Sequence, residues 1–390
     1  MYMPESARSP MSALVVNDHG GDADGPAAIL PAINPASGFA GTAFMVAGPH
    51  IGPPGQRDIE ASNARQDLDA AHVVQIVARA CAHLGVDPDT VPVFHGLPRN
   101  HPGMQGLQHL ITAPGVDTYM ADPTTYNFLP EDPIYSQRNV AGGYEETVAW
   151  VKAQPGKTAM FIGCAAGEAV TLLNDPRLAG RFGPVLMQGD TNRNRTYFSW
   201  HSYNVDSDPL AAYELLAKFG AYFLSAVITS HPDLSSPNMA ELRKQLPDAP
   251  ELILRIIKET ADEKTRRNRG RIVEPGQLDQ NEVRPTALSD LRGFVALREL
   301  ALPGKTEKLF TYTAMDVVQA LRNLVEIFYP QHITPEFLSR FGHFVVSGEL
   351  RGVDPDSLPP SYYVADIGDV NTSAVRHTTN RLFIPPSAGG

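Results

Sequence analysis

The chain has 390 residues, 43% of them hydrophobic and 19% charged, enough to bury a sizeable core in one large α/β domain. With 32 basic against 43 acidic residues the formal net charge is -11, which argues against a nucleic-acid or anionic-membrane partner, since both reward positive surface. The two cysteines, Cys81 and Cys164, argue against a disulfide framework or a Cys-based zinc site and read as reduced, buried thiols of a cytoplasmic protein, and no apolar stretch approaches the ~20 residues of a spanning helix.

Residues 1–12 read as a disordered lead and 13–390 as a single domain. Ala13–Val16 is a short apolar strand running into Asn-Asp-His-Gly-Gly, and Thr42–Val46 is a second strand closed by Ala-Gly-Pro. From Asp69 to Leu84 apolar residues recur at helical spacing, with Gly85 as a stop. Val91–Phe94 is the next strand, closed by His95-Gly96, and 100–139 reads as a long loop rich in Pro, Gly, Asp and Thr. The alternation then resumes: helix Glu145–Ala153, strand Thr158–Ile162, helix Glu168–Leu173, strand Pro184–Met187, helix Asp208–Phe219 and strand Tyr222–Ile228. Pro250–Thr265 is an amphipathic helix ending in a basic run, 273–308 reads as an insertion of weak periodicity, and Thr313–Ile327 reads as helical.

Strands alternating with helices predict an α/β fold with a mostly parallel central sheet flanked by helices on both faces. Ligands of such sheets sit outside the carboxyl ends of the strands, so the polar residues just past each strand are the candidates. The first of them form an acidic loop, with Asp18, Asp22 and Asp24 spaced by glycines. Clustered carboxylate oxygens suit a hard cation such as calcium, but Asp/Gly clusters also simply make turns. His95, His201 and His231 each follow a strand and are candidates for acid–base work.

A collinear series of short motifs resembles the inosine-uridine-preferring nucleoside hydrolases. Asp18-His19-Gly20-Gly21-Asp22 is similar to the D-x-G-x-D core of that family's first loop, and Val46-Ala47-Gly48 to its V-A-G-N turn. Val91-Pro92-Val93-Phe94-His95-Gly96 resembles V-P-V-Y-x-G, and the block Asn204 to Ala212 resembles N-x-x-x-D-P-x-A-A. Met315-Asp316 stands where the family has a late His-Asp pair, and Val345 to Gly352 looks like its closing strand. The resemblance runs in order from about residue 14 to about residue 381.

What the resemblance implies is a nucleoside-hydrolase-like fold, a small nucleoside-like ligand, a homodimer or homotetramer, and cleavage of an N-glycosidic bond by metal-activated water. Carried over by position, Asp18 is metal ligand and general base, Asp22 binds the ribose hydroxyls, the Ala166 carbonyl and Asp316 ligate calcium, and Asn204 holds the sugar, with Ser202 in place of the family's Glu. Asp24 is the nearest replacement for the aspartate missing at Ala23. Other departures are Val16, Pro49 and Met315, the last at a position from which some members protonate the leaving group. His201, beside the Asn204 motif, is the candidate replacement acid. Two readings follow: a divergent N-ribosyl hydrolase acting on an unusual nucleoside or related glycoside, or a non-catalytic ligand-binding protein that keeps the fold.

Overall fold

The computed structural model describes residues 10–18, 24–48, 59–98, 139–189, 204–205, 208–224, 235–236, 286–287, 289–302, 304, 308–316 and 361–384. Among the described residues, eight strands form one sheet: β1 (Ser12–Asn17), β2 (Thr42–Val46), β3 (Val93–His95), β4 (Thr158–Ile162), β5 (Phe182–Gln188), β6 (Tyr222–Leu224), β7 (Phe310–Asp316) and β8 (Ser361–Val370). Their order across the sheet is β3-β2-β1-β4-β5-β6-β8-β7, all parallel except β7, which runs antiparallel at one edge. Ser235–Ser236 and Thr286–Ala287 pair in a separate antiparallel ribbon.

The central strands are apolar on both faces because both faces are covered. Ala13 and Val15 join one core cluster with α1 (Asp24–Ile33), α2 (Ile59–Leu84), α6 (Ser289–Ala301) and α7 (Thr372–Leu382). Leu14 and Val16, pointing the other way, join a second cluster with α3 (Tyr144–Ala153), α4 (Gly167–Leu173) and α5 (Pro209–Phe219). From β1 the chain winds outward through β2 to β3, then returns to lay β4 on the other side of β1. That reversal makes a switch point between β1 and β4, and the carboxyl ends of the strands at such a point are the general ligand position of doubly wound sheets.

The sequence reading needs correction in three places. The acidic loop is shorter than its composition suggests, since α1 begins at Asp24 despite Pro26 and Pro31. Residues 289–301, inside the expected insertion, form α6, a core helix that buries Leu291, Phe294 and Val295 and packs against α1, β4 and β5. Residues 313–316, expected to be helical, belong to β7. There Phe310 and Tyr312 alternate with exposed Thr311 and Thr313, a strand pattern, and Tyr312 meets the Tyr222 ring edge-on at 5.4 Å. The 100–138 loop and the 250–265 helix lie outside the described residues.

An ion network ties α3 to the turn before β5. Asp175 accepts hydrogen bonds from Arg177 Nε at 3.0 Å and from the Tyr144 hydroxyl at 3.0 Å, and Arg177 also pairs with Glu145 at 2.7 Å. The Arg177 guanidinium holds the Asp175 carboxyl down at about 2. A carboxyl depressed in the folded state stabilises above its unfolded pKa, near 4, and that contribution is lost as pH falls toward 2. Arg177 is 44% exposed, so solvent screens the pair and the effect is modest. Urea unfolding measured from pH 5 to pH 2 is expected to show a steeper acid loss for the native chain than for Asp175→Asn. Parallel curves would mean that the network contributes nothing.

Candidate functional site

One row of residues crosses the sheet at its carboxyl rim. Asn17 is in register with Val46, and Val46 with His95. On the other side Val16 is in register with Ile162, so Gly163 follows beside Asn17, and Gln188 ends β5 further along. Residues in register share a face, and here that face carries α1, α2 and α6.

The centre of the row is a buried amide–carboxylate contact. Asn17 Nδ2 donates to Asp290 Oδ2 at 2.5 Å, joining the end of β1 to the first turn of α6, 273 residues later. Asn17 Oδ1 accepts the Asp18 backbone N–H at 2.9 Å. A carboxylate on one side and an N–H on the other fix which end of the amide is which; the flipped group would meet oxygen with oxygen. Both residues are buried, Asn17 at 0% exposure and Asp290 at 4%. Asp290 also suits the positive end of its helix.

Gly163 leaves the space these groups occupy. A Cβ there would lie 2.7 Å from Asp290 Oδ1 and 2.8 Å from Asn17 Oδ1, so two oxygens converge on a point that any side chain would fill. The Cys164 thiol faces the carbonyls of Val16 and Ala165. Glu168, in the first turn of α4, is fully buried and accepts the Gly48 N–H at 3.4 Å. Arg292 is buried two residues past Asp290, and burial disfavours its charged form.

The expected site residues fall into three groups. Asp18 and Asn204 share the carboxyl rim. Asp18 follows β1 directly, and buried Asn204 donates to the Gln188 carbonyl at 3.1 Å, at the end of β5. Asp24 opens α1 at the same rim. Asp316 is elsewhere: it pairs with Ser361, the first residue of β8, and β8 runs parallel to β6. It therefore sits exposed on the amino rim, and the structure does not bring it to Asp18. The Ala166 carbonyl accepts the Val170 N–H at 2.9 Å and so points down α4. Asp22, His201 and Ser202 lie outside the described residues. Asp208 caps α5, accepting the Ala211 N–H at 3.1 Å, so the Asp-Pro pair of the Asn204 motif is a helix start.

Sequence reasoning missed Asn17 and Asp290. Asn17 reads as a turn residue beside more conspicuous aspartates, and Asp290 sits in a segment set aside as an insertion. The available signal was Ser289-Asp290 followed by apolar Leu291, Phe294 and Val295, a helix start with an acidic first turn.

Calcium takes oxygen ligands, including carboxylates and amide carbonyls. The oxygens converging beside Gly163 are of those kinds. Among the described residues, no group of three or more His, Cys, Asp or Glu side chains is gathered to hold a metal ion. The donor types beside Gly163 are thus of the kinds that calcium takes. No described helix is long and apolar enough to cross a membrane.

No family model and no curated protein sequence matches the chain. Solved structures do. The type III effector protein XopQ complexed with adenosine diphosphate ribose is 14% identical, with 97% of this chain and 94% of that one covered at a TM-score of 0.54. An inosine-uridine preferring nucleoside hydrolase from Bacillus anthracis is 12% identical over 96% of this chain and 99% of its own, at a TM-score of 0.52. A purine-preferring ribonucleoside hydrolase from Gardnerella vaginalis is 14% identical over 95% and 99%, also at 0.52. Near-complete coverage at such low identity is a likeness of fold: the chain has a nucleoside-hydrolase-like fold.

Proposed function

We propose that the crevice between β1 and β4 binds a ribosyl compound and that the protein is a divergent, slow N-ribosyl hydrolase. The observation that carries this reading is the buried Asn17–Asp290 contact at the switch point of the sheet, packed where Gly163 has no side chain. The ribosyl class is supported by the hydrolases that share the fold and by the adenosine diphosphate ribose held by XopQ.

In this reading Asp290 is the anionic group beside the ribosyl ring, where positive charge develops as the glycosidic bond breaks. Asn17 holds that carboxylate in one orientation, and Asn204 faces the ligand from the end of β5. Asp290 and the Asn17 oxygen would hold calcium together with Asp18, Asp22 and Asp24, and Asp316 takes no part. When bound, calcium would orient a water and the ribose hydroxyls.

A second reading is binding without turnover, and Asn17 favours it. The β1 residue that faces Asp290 is an amide, which takes no proton from water at neutral pH. Hydrolysis assays separate the two readings. A slow hydrolase lacking acid help is expected to cut p-nitrophenyl riboside, whose leaving group needs no proton, ~10²–10⁴-fold faster than inosine. No turnover of either compound, with ribosyl ligand binding intact by calorimetry, would leave binding as the function. If His201 acts as a replacement acid, His201→Ala slows inosine and spares the activated substrate.

A further inference from the structure

His95 stands at the far end of the row that Asn17 centres. Two strand spacings, about 10 Å, separate the two backbones. The segment around His95 is firmly held. Its N–H donates to the Gly142 carbonyl at 2.8 Å, and the Gly96 N–H donates to the Val46 carbonyl at 2.8 Å. Gln66 on α2 donates to that same Val46 carbonyl at 2.9 Å, so closely that a Cβ on Gly96 would lie 2.7 Å from the Gln66 amide nitrogen. Asp67, next on α2, sets its carboxylate 3.6 Å from His95 Nδ1. That nitrogen is buried with no hydrogen-bond partner, while the side chain as a whole is 33% exposed. The exposure therefore falls on the rest of the side chain.

We infer that His95, oriented by Asp67, contacts the group attached to the sugar of a ribosyl ligand whose ribose lies over Asn17 and Asp290. This rests on the reading above that the crevice takes a ribosyl compound. A carboxylate beside Nδ1 favours the tautomer with its proton there, which leaves the Nε2 lone pair to accept a hydrogen bond. The group recognised is thus one that presents an N–H. Charge points to an uncharged heterocycle rather than a phosphate: among the described residues, the row from His95 to Gln188 has no Lys or Arg in it, Asp67, Asp290 and Glu168 border it, and burial disfavours the charged form of Arg292 near Asp290.

The test uses the full chain, 9-deazainosine and free ribose. The first has a carbon–carbon glycosidic bond that water does not cut, and it carries ring N–H groups; the second lacks the attached group altogether. By calorimetric titration, His95→Ala is expected to weaken 9-deazainosine about tenfold, the worth of one hydrogen bond, and to leave ribose unchanged. Asp67→Asn, at an exposed position, should weaken it by less, and His95→Gln, which keeps an acceptor near Nε2, should recover part of the loss. Equal effects on both ligands, or none on either, overturn the inference while leaving the ribosyl site standing. A native chain that binds neither ligand overturns the functional reading itself, and the inference with it.

Discussion

Asn17→Asp is expected to raise calcium-dependent hydrolysis of p-nitrophenyl riboside by ~10²–10⁴-fold, the usual worth of a positioned general base. Asn17 already lies in the right place, buried at the end of β1 and hydrogen-bonded to Asp290 at 2.5 Å. What it lacks is basicity. The substitution exchanges an amide for a nearly isosteric carboxylate that takes a proton from water. It also adds a charge to the donor set. Without a cation, two carboxylates this close cannot both ionise, and the pair would share a proton. With calcium bound, both are held as anions. The same variant should therefore bind calcium more tightly than the native chain by calorimetry, and its activity should depend steeply on the metal. If the variant binds calcium but turns over no faster, the base lies elsewhere, and Asp18 becomes the group to replace.

Gly293→Ala is expected to destabilise the fold by about 3 kcal/mol, although helix propensity alone predicts a gain of ~1 kcal/mol for this change. Gly293 lies in the first half of α6, and a Cβ there would overlap the Phe161 ring. Phe161 is fully buried in the middle of β4, so its ring cannot yield without displacing neighbours. The glycine thus sets how closely α6 approaches the sheet. It also sets where Asp290 sits, because Asp290 is one turn earlier on the same helix and reaches Asn17 only at this spacing. Urea unfolding should show the loss of stability, and calorimetry should show weakened ribosyl binding in whatever fraction folds. A variant as stable as the native chain would mean that α6 and β4 separate freely, and the account of the site would lose its rigid frame.

Much of the architecture was legible in local patterns. Thr42–Val46 and Thr158–Ile162 are strands with the expected limits, and α3, α4 and α5 begin within a residue or so of their expected starts. Buried parallel strands are apolar on both faces and helices announce themselves by caps and period, so their signals lie within ten residues of sequence. The elements that went unseen contradict their local cues. In α1, Gly25, Pro26 and Pro31 read as breakers, yet Ala27, Ala28, Ile29 and Leu30 are buried against the sheet, and packing overrides propensity. In β7 the strand exists because β8 pairs with it from about fifty residues away.

The site divides the same way. The residues before and after β1 sufficed to mark its carboxyl end as polar, acidic and glycine-rich, because strand ends and turn formers are local features. Which acid meets which strand end was decided by tertiary structure alone. Asp316 looked like the late partner of Asp18, but an antiparallel strand carries it to the opposite rim, while Asp290 arrives at Asn17 on a helix whose approach is set by one glycine against one phenylalanine. Local sequence marks where a strand or helix ends. The direction of a distant strand and the distance between a helix and a sheet are set by contacts between segments hundreds of residues apart, and no local pattern encodes those.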